Sequence, residues 1–144
     1  MRAHVVVALM LLAAPVAAQT AADSAGVREA ALDYLNAIYN ADTALVYRSV
    51  RPELAKRGYY IPRNGSVYAN EPMTFAELVE TARTWNAAKK DTSTWPKEVR
   101  ILDILNQTAS AKVTARWGVD YMHLAKYNGK WMIVNILWQS PPPK

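Results

Sequence analysis

The stretch that most restricts the fold of this chain is VDYMHLAKYNGKWMIVNILW, residues 119–138, where Asn128-Gly129 stands between two long β-prone segments. Asn-Gly accepts positive φ at both central positions of a two-residue type I′ turn, so Tyr127 is expected opposite Lys130 and the register of the whole hairpin follows. In that register one face carries Val119, Tyr121, His123, Ala125 and Tyr127 with Lys130, Met132, Val134, Ile136 and Trp138. The other carries Asp120, Met122, Leu124 and Lys126 with Trp131, Ile133, Asn135 and Leu137. Both faces are largely apolar, whereas a sheet wetted on one side alternates apolar with polar residues. Helices are expected to cover one face and a second copy of the chain the other, giving a homodimer through sheet faces.

Period-two patterning begins near residue 99, with further strands expected over 99–106 and 110–117. Upstream the period is helical. Val27, Ala30, Ala31, Tyr34, Leu35 and Ile38 form one apolar stripe, with Asp23 or Ser24 as the cap, and Asn40-Ala41-Asp42 breaks the chain before a second helix capped by Asp42 or Thr43. That helix carries Leu45, Val46 and Val50; Pro52 opens a fresh turn that stops near Gly58. YYIPRNGSVY, residues 59–68, reads as a small hairpin or an ordered loop around Arg63-Asn64-Gly65. Thr74-Phe75-Ala76-Glu77 is a capping box, so a third helix starts there and buries Phe75, Leu78, Val79, Ala82 and Trp85. The closing SPPPK cannot join a ladder. Helices first and strands last imply an α+β fold, with three N-terminal helices packed on an antiparallel sheet.

MRAHVVVALMLLAAPVAAQ has a basic start, a short apolar run and then small residues, the pattern of a secretory signal peptide. Cleavage is expected after Ala18, with Ala22 as the alternative. This divides the chain into a signal peptide over 1–18, one domain over 19–139 and a proline-rich tail over 140–144, with the mature protein secreted or periplasmic. No later stretch is long and apolar enough to be a transmembrane segment. The chain has no cysteine, which excludes disulfides and thiolate metal sites and argues against a lipoprotein-type anchor. Without Arg2, 16 Lys and Arg face 12 Asp and Glu, a net charge of +4. The densest basic stretch, Arg48, Arg51, Lys56, Arg57 and Arg63, is spaced as the wet face of a helix, so no nucleic-acid partner is expected. The glycines are isolated, so no phosphate loop is present and no cofactor is expected.

Asp120 is the sharpest candidate for chemistry. A carboxyl on an apolar inward face is desolvated, its pKa rises, and it can act as general acid or base; the plainer reading is an aspartate bonded to backbone or to Arg116. His123 is an odd number of residues away and so faces the other side, which excludes a dyad or a shared metal with Asp120. With a single histidine after residue 4, no metal site is expected. Asn135, diagonal to Asp120 across the hairpin, needs partners once buried, either Asp120 and the backbone or the polar edge of a ligand. Tyr34, Tyr60, Trp85 and Trp117 offer rings that stack on a flat ligand or simply fill a core. Tyr34, Tyr47 and Tyr60 offer hydroxyls for an oxyanion.

Three N-terminal helices, a run of long strands, Asp120-Tyr121-Met122-His123-Leu124 and Asn128-Gly129-Lys130-Trp131-Met132-Ile133-Val134 together resemble the nuclear transport factor 2-like superfamily. With Arg51-Pro52-Glu53-Leu54-Ala55-Lys56-Arg57-Gly58 at a helix end, the chain resembles more narrowly its "putative lumazine-binding" branch, from about Asp23 to Trp138. The resemblance implies a cone, in which a strongly bent sheet wraps helices and leaves an apolar pocket at the open end, the cystatin-like arrangement. It implies a pteridine-like ligand, but relatives on this fold include isomerases, cyclases, dehydratases and scaffolds. The reading is an exported protein that holds a small apolar or aromatic molecule without turnover, with Tyr34, Tyr60, Trp85, Asp120 and Asn135 as its ligand-binding residues. One alternative is a ketosteroid-isomerase-like or polyketide-cyclase-like enzyme using Asp120 as acid and base. The other is a homodimeric interaction module with a filled pocket.

Overall fold

The computed structural model describes residues 21–142. The signal peptide expected over 1–18 and its cleavage after Ala18 lie outside the described residues, as do the last two residues of the tail. Helix α1 (Ala21–Asn40) is followed by α2 (Thr43–Ser49), β1 (Val50–Tyr60), β2 (Ala69–Met73), α3 (Phe75–Thr84), β3 (Glu98–Ile104), β4 (Thr108–Ala115), β5 (Gly118–Tyr127) and β6 (Lys130–Gln139). The strands form one sheet in the order β2-β1-β6-β5-β4-β3, and the helices pack on one of its faces. No helix among the described residues is long and apolar enough to cross a membrane.

The helix starts follow from local chemistry. Asp42 caps α2, its side chain accepting from the Ala44 amide at 3.0 Å, and Ala41 turns the chain at φ 53°. Thr74 and Glu77 form the expected capping box of α3, and Leu78 and Ala82 are fully buried beneath it. Asp23 is not a cap. It lies inside the first turn of α1, where it pairs with Lys126 at 2.6 Å and accepts from Trp131 Nε1 at 3.0 Å, tying the helix to the final hairpin.

Two departures from the sequence reading matter for the site. Residues 50–60 are a strand, not the end of a helix. Glu53, Leu54, Ala55, Lys56 and Arg57 are good helix formers, yet pairing with β2 on one side and β6 on the other overrides that preference. Pro52 falls in the break of the β1–β6 ladder between Val50 and Ala55, where its missing N–H costs no ladder bond. The β1–β6 pair is also parallel, so the sheet is mixed, with β1 and β2 inserted between α2 and α3 instead of following all the helices.

The second departure is a bulge. Asn128 and Gly129 take positive φ (50° and 80°), and Tyr127 pairs with Lys130 as the turn requires. The ladder then slips between His123 and Leu124: Leu124 faces Ile133 while His123 faces Asn135, and Val134 is the extra residue. Beyond this point every β6 side chain changes face. Ile136 and Trp138 turn inward, and Asn135 and Leu137 turn out. At the end of β6 the Ser140 amide still donates to Tyr59 O at 2.9 Å, one bond further than the tail was expected to reach.

Trp138 lies flat over Gly58 of β1 and stacks with Tyr60 at 6.3 Å. A Cβ at residue 58 would stand 2.1 Å from Trp138 Nε1. Gly58→Ala is therefore expected to cost about 1–3 kcal/mol in urea unfolding and to change the tryptophan emission as Trp138 is displaced. Unaltered stability and emission would show that the indole does not need the glycine.

Candidate functional site

Four elements converge on one buried polar chain. Asp120 of β5 is fully buried, and both of its oxygens are occupied: Tyr34 Oη of α1 donates to Oδ1 at 3.2 Å, and Trp117 Nε1 of the β4–β5 turn donates to Oδ2 at 2.7 Å. Lys56 Nζ of β1 donates to Tyr34 Oη at 2.5 Å and stands 4.9 Å from the centre of that ring. The phenol thus links an amine to a carboxyl group in a place almost without water, since Tyr34 is 0% and Lys56 only 7% exposed.

The electrostatics follow from burial. Desolvation raises the Asp120 pKa above the ordinary carboxylate value, while the Lys56 charge and the bonds from Trp117 and Tyr34 pull it back. Desolvation lowers the Lys56 amine, against the attraction of Asp120. The Tyr34 phenol is held well above its usual value by burial first and by the neighbouring carboxylate second. A carboxyl pushed up and an amine pushed down approach each other across one hydroxyl.

A cavity of about 170 Å³ opens beside this chain, lined by Tyr34, Ile38, Lys56, Met73, Thr81, Trp85, Trp117 and Trp138. An apolar cavity of about 150 Å³ accommodates one benzene ring. Its aromatic walls are held from behind. Trp85 stacks on Tyr39 at 5.9 Å and meets Trp117 and Trp95 edge to face at 5.4 and 5.5 Å, and Tyr39 Oη is fixed by the Arg116 amide and the Pro96 carbonyl. Asn86, buried after α3, clamps the Tyr39 carbonyl to the loop at Lys90. Walls fixed in this way lose little side-chain freedom when a ligand enters.

Of the residues singled out from sequence, Tyr34, Trp85 and Asp120 come together here, and Trp117 joins them. Asp120 bonds Tyr34 and Trp117, not backbone or Arg116, whose guanidinium lies over Trp95 instead. Tyr60 stands behind Trp138 and is not a lining residue. Asn135 is on the outer face because of the bulge, where its Oδ1 is 3.1 Å from His123 Nδ1 and its Nδ2 donates to Ala55 O. Tyr47 is 61% exposed, packed on Phe75 far from the chain of bonds. Lys56 and Trp138 were missed, the first read as a solvated helix face and the second as outward. The signal for Lys56 was the alternation of Leu54, Lys56, Gly58 and Tyr60, which is legible once the segment is read as a strand.

A second concavity, along the start of α1, is lined by Asp23, Glu29, Asp33, Arg48, Lys130 and Trp131 among others. Its strongest charges answer one another: Arg48 holds Asp33 through two bonds of 2.5 Å, and Lys126 holds Asp23.

Because folding raises the Asp120 pKa, the folded state keeps a proton that the unfolded chain has already released. This contribution to stability is complete below the ordinary value of 3.8 and is lost as pH rises through the folded value of Asp120. In urea unfolding at a series of pH values, the stability of the wild type minus that of Asp120→Asn is expected to decline as pH rises from 4. A difference independent of pH would mean that Asp120 titrates as it does in the unfolded chain.

Comparison with known proteins places this geometry. A family model described as "Putative lumazine-binding" matches residues 22–139. No curated protein matches the chain. Among solved structures, a nuclear transport factor 2-like protein of unknown function from Silicibacter pomeroyi superposes with a TM-score of 0.63 at 15% identity, covering 82% of this chain and 95% of that one. One from Methylobacillus flagellatus gives 0.60 at 20% identity, covering 85% and 94%. A protein with a cystatin-like fold from Nostoc punctiforme gives 0.56 at 16% identity, covering 85% and 94%. Such identities establish a shared fold and nothing about chemistry. With an α+β cone built from three helices and a six-stranded sheet, the fold of those nuclear transport factor 2-like proteins, and a family match over nearly the whole described chain, the protein belongs to the "Putative lumazine-binding" family.

Proposed function

We propose that this is an exported binding protein whose cone holds a small, flat, mostly apolar ring without turning it over. The observation that carries this reading is the cavity itself, with three indoles and the Tyr34 ring as walls and Lys56 as the one basic lining group. Apolar walls with a few placed polar groups are the usual composition of a ligand site. The family description supports a pteridine-like ring, whose carbonyl edge suits a lysine donor. The pattern of residues 1–18 supports export. Asp120 is not a lining residue, and both its oxygens already accept bonds, which favours binding over direct acid–base attack on a ligand by that carboxyl.

The same reading includes a homodimer through the outer sheet face. Tyr121 and Leu137 stand opposite each other there, 50% and 45% exposed. Sedimentation at micromolar concentration is expected to give a dimer that Leu137→Glu converts to monomer, and a wild-type monomer would rule it out.

Titration with lumazine is expected to quench the tryptophan emission and to saturate. Thr81→Trp, which places an indole into the cavity from the surface of α3, is expected to weaken that quenching at least tenfold, about 1.4 kcal/mol, while leaving the circular dichroism unchanged. If neither lumazine nor any mass retained through native mass spectrometry of the protein recovered from the periplasm is found, the filled-pocket interaction module becomes the better reading.

A further inference from the structure

Lys56 is the one lysine among the described residues that is buried, and burial there has a chemical consequence. Lys56 lines an apolar cavity of single-ring size together with three indoles, and the bond from its Nζ to Tyr34 Oη uses one of the three N–H bonds of an ammonium. Tyr34 Oη in turn donates to Asp120. A proton can therefore leave Nζ through the phenol and arrive on the carboxylate, turning a charged pair into a neutral amine and a neutral acid.

A dry surrounding favours the neutral pair, since each ion loses its hydration on burial. The directions of the individual groups agree: burial lowers the amine of Lys56 and raises the carboxyl of Asp120. A neutral lysine amine in an apolar pocket is a nucleophile toward carbonyl carbon.

We propose that Lys56 condenses reversibly with small aromatic aldehydes, forming an imine on Nζ inside the cavity. This rests on the reading that the cavity admits a ring ligand. The Nζ lone pair attacks the carbonyl carbon, a C–N bond forms, and the C–O π pair moves to oxygen. The proton that nitrogen then gives up passes to that oxygen, which yields a carbinolamine. Asp120, through Tyr34, returns the proton it took from Lys56 to the hydroxyl, which leaves as water while the nitrogen lone pair closes the C=N bond. The nitrogen keeps its remaining hydrogen, so amine, aldehyde and the Asp120 acid become a protonated imine, the Asp120 carboxylate and water, with no oxidant or reductant required. Trp117 Nε1 stays on Asp120 Oδ2 throughout and keeps the acid oriented. Tyr34 acts here as a positioning residue for the proton path.

The test traps the imine. The full chain is incubated near pH 7 with benzaldehyde and sodium cyanoborohydride, and the benzylated lysines are located by peptide mass mapping. Lys56 is expected to be labelled at least roughly tenfold faster than the exposed lysines, because a neutral amine attacks a carbonyl carbon and an ammonium does not. Toluene, which has the ring but no carbonyl, is expected to protect Lys56 and to leave the other lysines reacting as before. Tyr34→Phe, which keeps the ring, is expected to slow labelling at Lys56 alone, and circular dichroism of that variant establishes that it is folded. Uniform labelling of surface lysines with Lys56 spared overturns the proposal. If toluene nonetheless shifts the tryptophan emission, the binding reading survives that failure; if it does not, both fall together.

Discussion

A carboxylate with no exposure to solvent cannot stand alone in an apolar interior, and the arrangement around Asp120 is the answer this chain gives to that constraint. The partners it requires arrive from the middle of α1, from β1 and from the β4–β5 turn, so one buried acid fixes the relative placement of the first helix and two strands that are not neighbours in the sheet. Removing one member of such a set leaves another uncompensated, which makes the group cooperative in a way that the surrounding Val, Leu and Ile contacts are not. Tyr39, Trp85, Trp95 and Trp117 pack edge to face beside this group and hold its Trp117 donor in place.

Much of this was legible in the sequence where a local rule was strong. The Asn128-Gly129 turn, the Thr74–Glu77 box and the stripe on α1 each rest on chemistry within a few residues, and each lies where that chemistry puts it. Asp120 was recognisable because an acid in a period-two apolar segment has few explanations. What stayed hidden depends on contacts distant in sequence. The segment from Pro52 to Gly58 has helix-forming residues and becomes a strand only because β6, some eighty residues later, lies beside it. Lys56 was hidden with it, since the face of a residue cannot be assigned before its element is known.

The bulge at Val134 was equally invisible and had a larger effect on the site. One extra residue in β6 sends Asn135 outward to His123 and Ala55 and brings Trp138 in over Gly58. A polar amide is thereby exchanged for an indole at the cavity wall. No residue type announces such a slip, because Val, Ile and Trp satisfy either face of a strand buried on one side and half-covered on the other.

The place of β6 in the sheet has a bearing on how the protein is made. The last strand among the described residues sits near the middle of the sheet, hydrogen-bonded to β1 on one side and to β5 on the other. Until those last residues are available, β1–β2 and β3–β5 are two separate pieces with open edges, and neither Lys56 nor Asp120 can meet the other. Contacts between the first and last strands are slow to form, because a long loop has to close before they contribute anything. During synthesis the two pieces would thus stay apart until β6 itself was made, so the sheet closes as one late event.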